Sequence, residues 1–407
     1  MNVVMTAYAC DPGKGSEAGA GWAWPAAVAE HHEVWLVTRS TNRQSIEKAL
    51  QDNPRPKLHP VYVDLPEWAR TWKRGARGLY PYYFIWQLLA WRRIRQLQST
   101  VRFDVGHHIT FATDWLPAAV AFIPGLPVVW GPVGPGLSAP LRMWRSFGLR
   151  WLLQEAVRGG LTAGGSALFG RPTARRASIV VAQNRETAAR YAWHPHVVVE
   201  QHVALEADLP AEALPAPGRN RRAVFVARLL PWKGLNVAIR ALAEPEGSGW
   251  HLEVYGAGPE RERAERFARR CGVSDRVAFR GLVPRTEVLS SLQTADAMLF
   301  PSSHESAGWA VAEAISAGCP VVCFDLGGPG AMLQDGEGIK VRPSWRAHRA
   351  FARGLSELGP RHDGSRRWQA SRLPALLEAW YASAVAGASG PPALASRPVK
   401  TMTGTAR

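Results

Sequence analysis

The chain predicts two doubly wound α/β domains facing each other across a cleft, with ligands held by loops at the strand ends. Three observations carry this. Residues 298–323 read as strand, loop, helix, strand, a unit that implies a parallel sheet. The same strand–loop–helix alternation starts at Asn2 and again at Ala223, on either side of a Pro- and Ala-rich stretch that ends in Gly218-Arg219-Asn220-Arg221-Arg222. The length of 407 residues suits two or three domains. The divisions expected are a first domain over 1–205, a linker over 206–222, a second domain over 223–372, a helix over 373–386 and a disordered tail over 387–407.

In chain order, Asn2 to Cys10 reads as a first strand. A glycine-rich turn follows from Gly13 to Gly21, and a helix runs from about Trp22 to Glu30. Such a turn lets backbone amides approach an anion, but the Lys-Ser/Thr ending of a P-loop is missing. Glu33 to Arg39 is a second strand. Residues 66–102 hold eight basic residues against one acid, Glu67, interleaved with aromatics such as Trp68, Trp72, Tyr82 and Trp86. Two readings fit this stretch: an interfacial membrane segment, or a helix that packs its aromatics inward and solvates its arginines. Asp104 to Thr110 ends a further strand with His107 and His108, either of which could face the cleft. Pro127 to Trp130 and Ile179 to Ala182 complete the strands expected in this half, and Asn184 suits a helix N-cap.

The second half begins with strand Ala223 to Ala227, loop Arg228 to Gly234 and helix Leu235 to Leu242. Leu252 to Tyr255, Val277 to Phe279 and Met298 to Phe300 are further strands. After the last, Pro301 and two serines stop the strand, His304 to Gly308 form a loop, and Trp309 to Ala317 has helical spacing. Gly318 and Pro320 end that helix before strand Val321 to Phe324. Glu305 therefore stands beyond the carboxyl end of a strand, where such sheets bind ligands. Glu313 lies on the next helix, and the amides of Ser306 to Trp309 form an anion site at its start.

Composition bounds the partners. With 49 Lys+Arg against 33 Asp+Glu, the formal charge is +16, of which +10 falls in residues 1–200 (23 basic, 13 acidic). Such a balance favours anionic partners: nucleotide sugars, anionic lipid surfaces or nucleic acid. No recognised nucleic-acid module is present, so a nucleic-acid partner is not expected. The four cysteines, Cys10, Cys271, Cys319 and Cys323, lack zinc spacing and suit a reducing cytoplasm. No stretch is long and apolar enough to span a bilayer, so a soluble or peripheral protein is expected.

The pair Glu305-x7-Glu313 after a strand ending in Pro-Ser resembles the signature of family-4 glycosyltransferases, retaining enzymes of GT-B fold with two Rossmann-like domains. Arg228-Leu229-Leu230-Pro231-Trp232-Lys233-Gly234 resembles that family's second signature. The resemblance implies that Glu305 contacts the donor sugar and that Ala307, Gly308 and Trp309 meet sugar and diphosphate through their amides. It implies that Glu313 holds the ribose hydroxyls and that Arg228 and Lys233 bind the diphosphate. Gly15 and Ser16 would belong to a Gly-rich loop facing diphosphate and acceptor, and His108, or alternatively His107, would contact the donor sugar. Gly281-Leu282-Val283 resembles the turn against which the base lies, and the helix 373–386 would cross back to the first domain. The chain departs from the pattern at Ala307, where relatives often carry an aromatic, and at Ala227, where they carry Gly. It also lacks the glutamate that follows the glycines at 327–330.

The activity so implied is transfer of a sugar from a nucleotide donor to an acceptor hydroxyl with retained configuration, in polysaccharide or glycolipid synthesis. No Asp-x-Asp motif appears in a suitable loop, so no metal ligands and no cofactor are expected, with protein cations in place of Mg²⁺. The acceptor would be a carbohydrate or lipid-linked molecule, and the location cytoplasmic or peripheral on the inner membrane face. The rival readings are a sugar-nucleotide epimerase, a phosphorylase of the same fold, or a non-enzymatic anion-binding relative.

Overall fold

The computed structural model describes residues 1–70, 78–134, 139–140, 143–205 and 221–387. Most of the expected linker (206–220), the expected tail (388–407), part of the aromatic stretch (71–77) and Pro135 and Gly136 lie outside them.

The first domain alternates strand and helix: β1 (Asn2–Ala7), α1 (Ser16–Val28), β2 (Glu33–Thr38), α2 (Arg43–Asp52), β3 (Leu58–Tyr62), α3 (Leu79–Leu97), β4 (Val105–Thr110) and β5 (Val128–Val133). Then come α4 (Trp144–Phe147), α5 (Leu149–Gly165), α6 (Arg171–Arg176), β6 (Ile179–Ala182), α7 (Arg185–Arg190) and β7 (Val197–Val199). All seven strands pair in parallel, in the order 3-2-1-4-5-6-7. Strands covered by helices on both faces need apolar residues at every position rather than at alternate ones. This is why β4, β5 and β6 are buried throughout.

The second domain repeats the plan: β8 (Arg221–Val226), α8 (Leu235–Leu242), β9 (Trp250–Tyr255), α9 (Arg261–Arg270), β10 (Val277–Gly281), α10 (Arg285–Thr294), β11 (Ala297–Phe300), α11 (Trp309–Ser316), β12 (Val321–Phe324), α12 (Gly327–Met332), β13 (Gly338–Val341) and α13 (Ala347–Glu357). Its sheet runs 10-9-8-11-12-13. In both sheets the order reverses beside the first strand, between β1 and β4 and between β8 and β11. Chains leave such a pair toward opposite sides, which opens a crevice at the carboxyl ends. The two crevices face each other. The last helix, α14 (Leu373–Ala386), buries Leu373, Leu377, Trp380, Tyr381 and Ala384 in the core of the first domain.

One expectation needs correction. Helix α1 begins at Ser16, not near Trp22, so Gly19 and Gly21 lie inside it. A Cβ at Gly19 would stand 2.1 Å from the Lys14 carbonyl oxygen, and one at Gly21 would stand 1.9 Å from that of Ala9. These glycines let the helix lie against the chain that enters it, a packing role that composition alone makes look like a loop. The aromatics of α3 face inward: Tyr82, Tyr83 and Trp86 are buried with Tyr8, and Trp86 donates to the Val63 carbonyl at 2.9 Å. The core-packing reading of this helix is the one the structure adopts, with only Tyr80, Ile85 and Leu88 among its large apolar side chains exposed. Among the described residues no helix is long and apolar enough to cross a membrane.

Candidate functional site in the interdomain cleft

Two cavities of about 450 and 560 Å³ share Ser16, Glu305 and Trp309 and form one cleft. The smaller is built mainly by the second domain. Arg228 and Lys233 come from the loop after β8, Gly256 follows β9, Gly281 to Val283 end β10, and Glu305 follows β11. The larger is built mainly by the first domain: Glu17, Phe111 to Thr113, Glu155, Gln183 and His202. Most contributors lie at or just past the carboxyl end of a strand, as the strand orders require, and the rest come from α1, α5, α10 and α11.

Glu305 forms an ion pair with Lys233, whose ammonium also lies 5.7 Å from the centre of the Phe300 ring. A carboxylate and an ammonium so paired balance one another until a ligand brings its own charge. Gly234, at φ +73°, makes the sharp turn after Lys233, and a Cβ there would stand 2.2 Å from the Pro301 carbonyl. That close approach ties the β8 loop to the β11 loop and places Lys233 against Glu305. Gly308 starts α11 at φ +81°, and a Cβ would press on Pro329 and Met332. Ala307 is buried behind it.

Glu313, one turn into α11, is buried and meets Arg285 through Nε at 2.9 Å and Nη2 at 2.8 Å, both on Oε1. Burial pushes its carboxyl above the usual range, against the pull of Arg285. The sequence reading missed Arg285. Its signal was the Pro284-Arg285 start of α10, directly after the turn Gly281 to Val283. Glu313→Ala is expected to weaken nucleoside diphosphate binding by about 1–3 kcal/mol, since a buried polar partner is then unmatched. Titration calorimetry with unchanged affinity would remove Glu313 from the site.

Gly15 and Ser16 line the smaller cavity, Ser16 at φ +62°. His107 and His108 do not join them. The His107 Nε2–H donates to the Gly131 carbonyl at 2.7 Å, and Nδ1 accepts from the Tyr381 hydroxyl at 2.7 Å. The His108 Nε2–H donates to the Phe111 carbonyl at 3.1 Å, and Nδ1 accepts from Thr6 at 2.8 Å. Both rings are buried, which lowers their pKa values to about 3 and about 4. Neither borders the cleft cavities. Two adjacent residues on a strand point to opposite faces of the sheet, so each ring enters a helix-covered core rather than the strand end. His108→Ala is accordingly expected to lower the melting temperature and leave nucleotide affinity unchanged. A calorimetric loss of affinity in the folded variant would return His108 to the site.

Two other histidines border the cleft, His304 and His202, and His202 lies in the segment leading out of the first domain. Gln183 donates to its Nδ1 at 2.6 Å, so Nε2 carries the proton, and that buried atom has no partner among the described residues. Burial lowers its pKa to about 4, which keeps it neutral. The ring lies 6.0 Å from that of Trp309, whose buried Nε1 also has no partner among the described residues. Unmatched buried donors cost about 1–3 kcal/mol each unless a ligand or water supplies an oxygen. Opposite them, Glu17 accepts from the Ala112 amide at 2.6 Å, and burial raises its pKa. The glycine-rich stretch Gly13 to Gly21 contains Glu17 without marking it, and no motif marked His202, whose segment gains meaning only once the domains face each other.

Contacts between the domains bridge the cleft. His304 meets Glu155 at 2.9 Å, Trp151 donates to Ser303 at 3.3 Å, and the Gly327 amide donates to Glu186 at 3.1 Å. The last contact bears on the missing glutamate. Where relatives carry one after the glycines, the start of α12 here receives a carboxylate from the opposite domain. Burial would raise the pKa of Glu155, but the bonds to His304 and Arg158 prevail and hold it down to about 2.

Comparison with known proteins bears on both fold and site. Residues 210–366 match the family model described as glycosyl transferases group 1. Along 94% of this chain and all of the other, the structure superposes on Anabaena HepE in complex with UDP and glucose, with a TM-score of 0.56 at 16% identity. It also superposes on the lipopolysaccharide outer core galactosyltransferase WaaB, covering 95% and 98% of the two chains, with a TM-score of 0.59 at 16% identity. The fold is GT-B. Among curated proteins, 138 residues are 36% identical to the 2-deoxystreptamine glucosyltransferase of Streptomyces kanamyceticus, 33% of each chain. Over 230 residues the chain is 29% identical to the 2-deoxystreptamine N-acetyl-D-glucosaminyltransferase of Streptomyces fradiae, 52% of this chain and 53% of that one. The chain thus spans a third to about half the length of these relatives. The GT-B match accounts for the crossing of α14 onto the first domain, and the group 1 match covers both the Arg228–Lys233 loop and the glutamate pair.

Proposed function

We propose that the protein is a glycosyltransferase that moves a sugar from a nucleotide donor to an acceptor hydroxyl with retention, in cell-surface polysaccharide or glycolipid synthesis. One observation carries the reading: Arg228, Lys233, Glu305 and Glu313, far apart in sequence, line a single cavity. The diphosphate takes Lys233 and Arg228, the ribose takes Glu313 beside Arg285, and the base lies along Gly281 to Val283. The sugar then reaches the junction of the two cavities, where Glu305, the amides of Ala307 to Trp309 and the unmatched donors of His202 and Trp309 meet its oxygens. UDP in the HepE complex is the kind of nucleotide the donor site would take.

The acceptor enters the first-domain cavity, where Glu17 receives its hydroxyl. Retention follows if the hydroxyl attacks from the face the diphosphate leaves, with a phosphate oxygen taking the proton as the bond to the anomeric carbon breaks. Charge grows on the departing diphosphate, and cations fixed beforehand stabilise that charge without reorganisation. Arg228 offers a planar fork and Lys233 a point charge, which together take the place a metal holds in other transferases. No metal or other cofactor is then required. The four cysteines are unpaired, and Cys10, Cys319 and Cys323 are buried with pKa values raised by burial. Such thiols suit the reducing cytoplasm, where sugar nucleotides are made.

Transfer assayed in excess EDTA is expected to match transfer in Mg²⁺. A large loss restored by metal would overturn the cation assignment. The anomeric configuration of the product, read by NMR, tests retention separately, and product formed without any acceptor would favour an epimerase.

A further inference from the structure

Helix α5 is amphipathic in the wrong sense for a surface helix. Trp151, Glu155, Thr162 and Ser166, on it and on the turn that follows, face the protein and are buried. Leu153, Val157, Leu161 and Leu168 face outward and are between 61% and 69% exposed. Spacings of four and seven residues put these side chains on one stripe. The stripe forms one wall of a groove of about 800 Å³, closed on the other side by Tyr80 and Phe84 of α3 and by Trp115. Contiguous exposed apolar surface of this kind marks a binding site.

The groove does not end at the surface. Gln154 and Arg158 line both it and the first-domain cavity of the cleft. A molecule lying along α5 from Gly165 toward Gln154 covers about 16 Å at the rise of a helix, and its end then stands beside Glu155 and His304 next to Glu305. The chemistry changes along this path from mainly aliphatic and aromatic to charged. A slender amphiphile lying along this path has each part in matching surroundings, its apolar part in the groove and its polar end in the cleft.

We propose that this groove holds the hydrocarbon portion of an amphiphilic acceptor, whose polar head presents the attacking hydroxyl in the cleft. The inference rests on the transferase reading for the identity of the acceptor, but the binding of an amphiphile does not. Apolar recognition lies on α5 and α3, outside the donor site.

The test uses the full chain without donor and two nonionic probes, n-octyl and n-dodecyl β-D-glucoside, each below its micelle concentration. A buried methylene contributes a factor of about four in affinity. The four extra methylenes of the dodecyl probe are therefore expected to tighten binding at least about tenfold by calorimetry. Val157→Asp and Leu161→Asp, both at exposed positions that the fold does not need, should each remove most of that gain. Neither should alter the affinity for a nucleoside diphosphate measured on the same samples. Equal affinity for the two probes, or a chain-length gain that survives in both variants, would overturn the proposal. A dimer at micromolar concentration that Leu161→Asp converts to monomer would assign the stripe to a second copy and overturn it too. Nucleotide binding without amphiphile binding rejects the groove alone, and the converse rejects the transferase reading alone.

Discussion

Replacing Arg228 or Lys233 by alanine is expected to lower kcat by about 10²–10³-fold, the loss that follows removal of one preorganised donor to a developing charge. Both line the donor-side cavity in the loop after β8, and both are assigned to one diphosphate. Its charge rises as the bond to the sugar breaks, so each cation stabilises the transition state more than the bound donor, and kcat should fall further than affinity. Because they act on one group, the double variant should lose less than the product of the single losses. Arg228→Lys should not restore activity, since two converging N–H bonds become one point charge. Wild-type turnover in folded single variants would place the diphosphate elsewhere.

Glu305→Gln is expected to reduce kcat by about 10²-fold or more while leaving nucleoside diphosphate affinity undiminished. In the free protein Glu305 is paired with Lys233, and donor binding must draw that ammonium toward phosphate. Removing the carboxylate charge takes away the competitor and so cannot weaken the diphosphate contact. What is lost is the negative group beside the sugar as it gains positive charge. If kcat were unchanged while KM rose, Glu305 would hold the ground state only.

Much of this was legible in the sequence. Strand–loop–helix order is written in local pattern, and both glutamates and both cations fall on loops or helix starts whose neighbours are unambiguous. Ile179–Ala182 and Val321–Phe324 coincide with their predicted ranges because turn residues bound short apolar runs. What was not legible depends on contact. His107 and His108 carry the residue type expected of a site, yet sheet geometry turns both into covered faces, while His202 reaches the cleft from a segment without periodicity. Gly19 and Gly21 look like loop residues because a helix rarely needs them, and only their approach to the chain before α1 explains them. The arginine- and aromatic-rich stretch near α3 admitted two readings that composition could not separate, since burial of Tyr83 and Trp86 is set by the sheet beneath.

The account stands on a nucleotide sugar bound between Arg228 and Glu313. A thermal-shift series over nucleoside diphosphate sugars addresses this most directly, because a ligand that binds only the folded state raises stability by about 2.7 kcal/mol at a hundred times its Kd. At least one such donor is predicted to raise the melting temperature of the native protein, with the shift diminished in Arg228→Ala and in Glu313→Ala. A donor-induced shift that persists in full in both variants, or the failure of every nucleotide sugar to produce one, would contradict it.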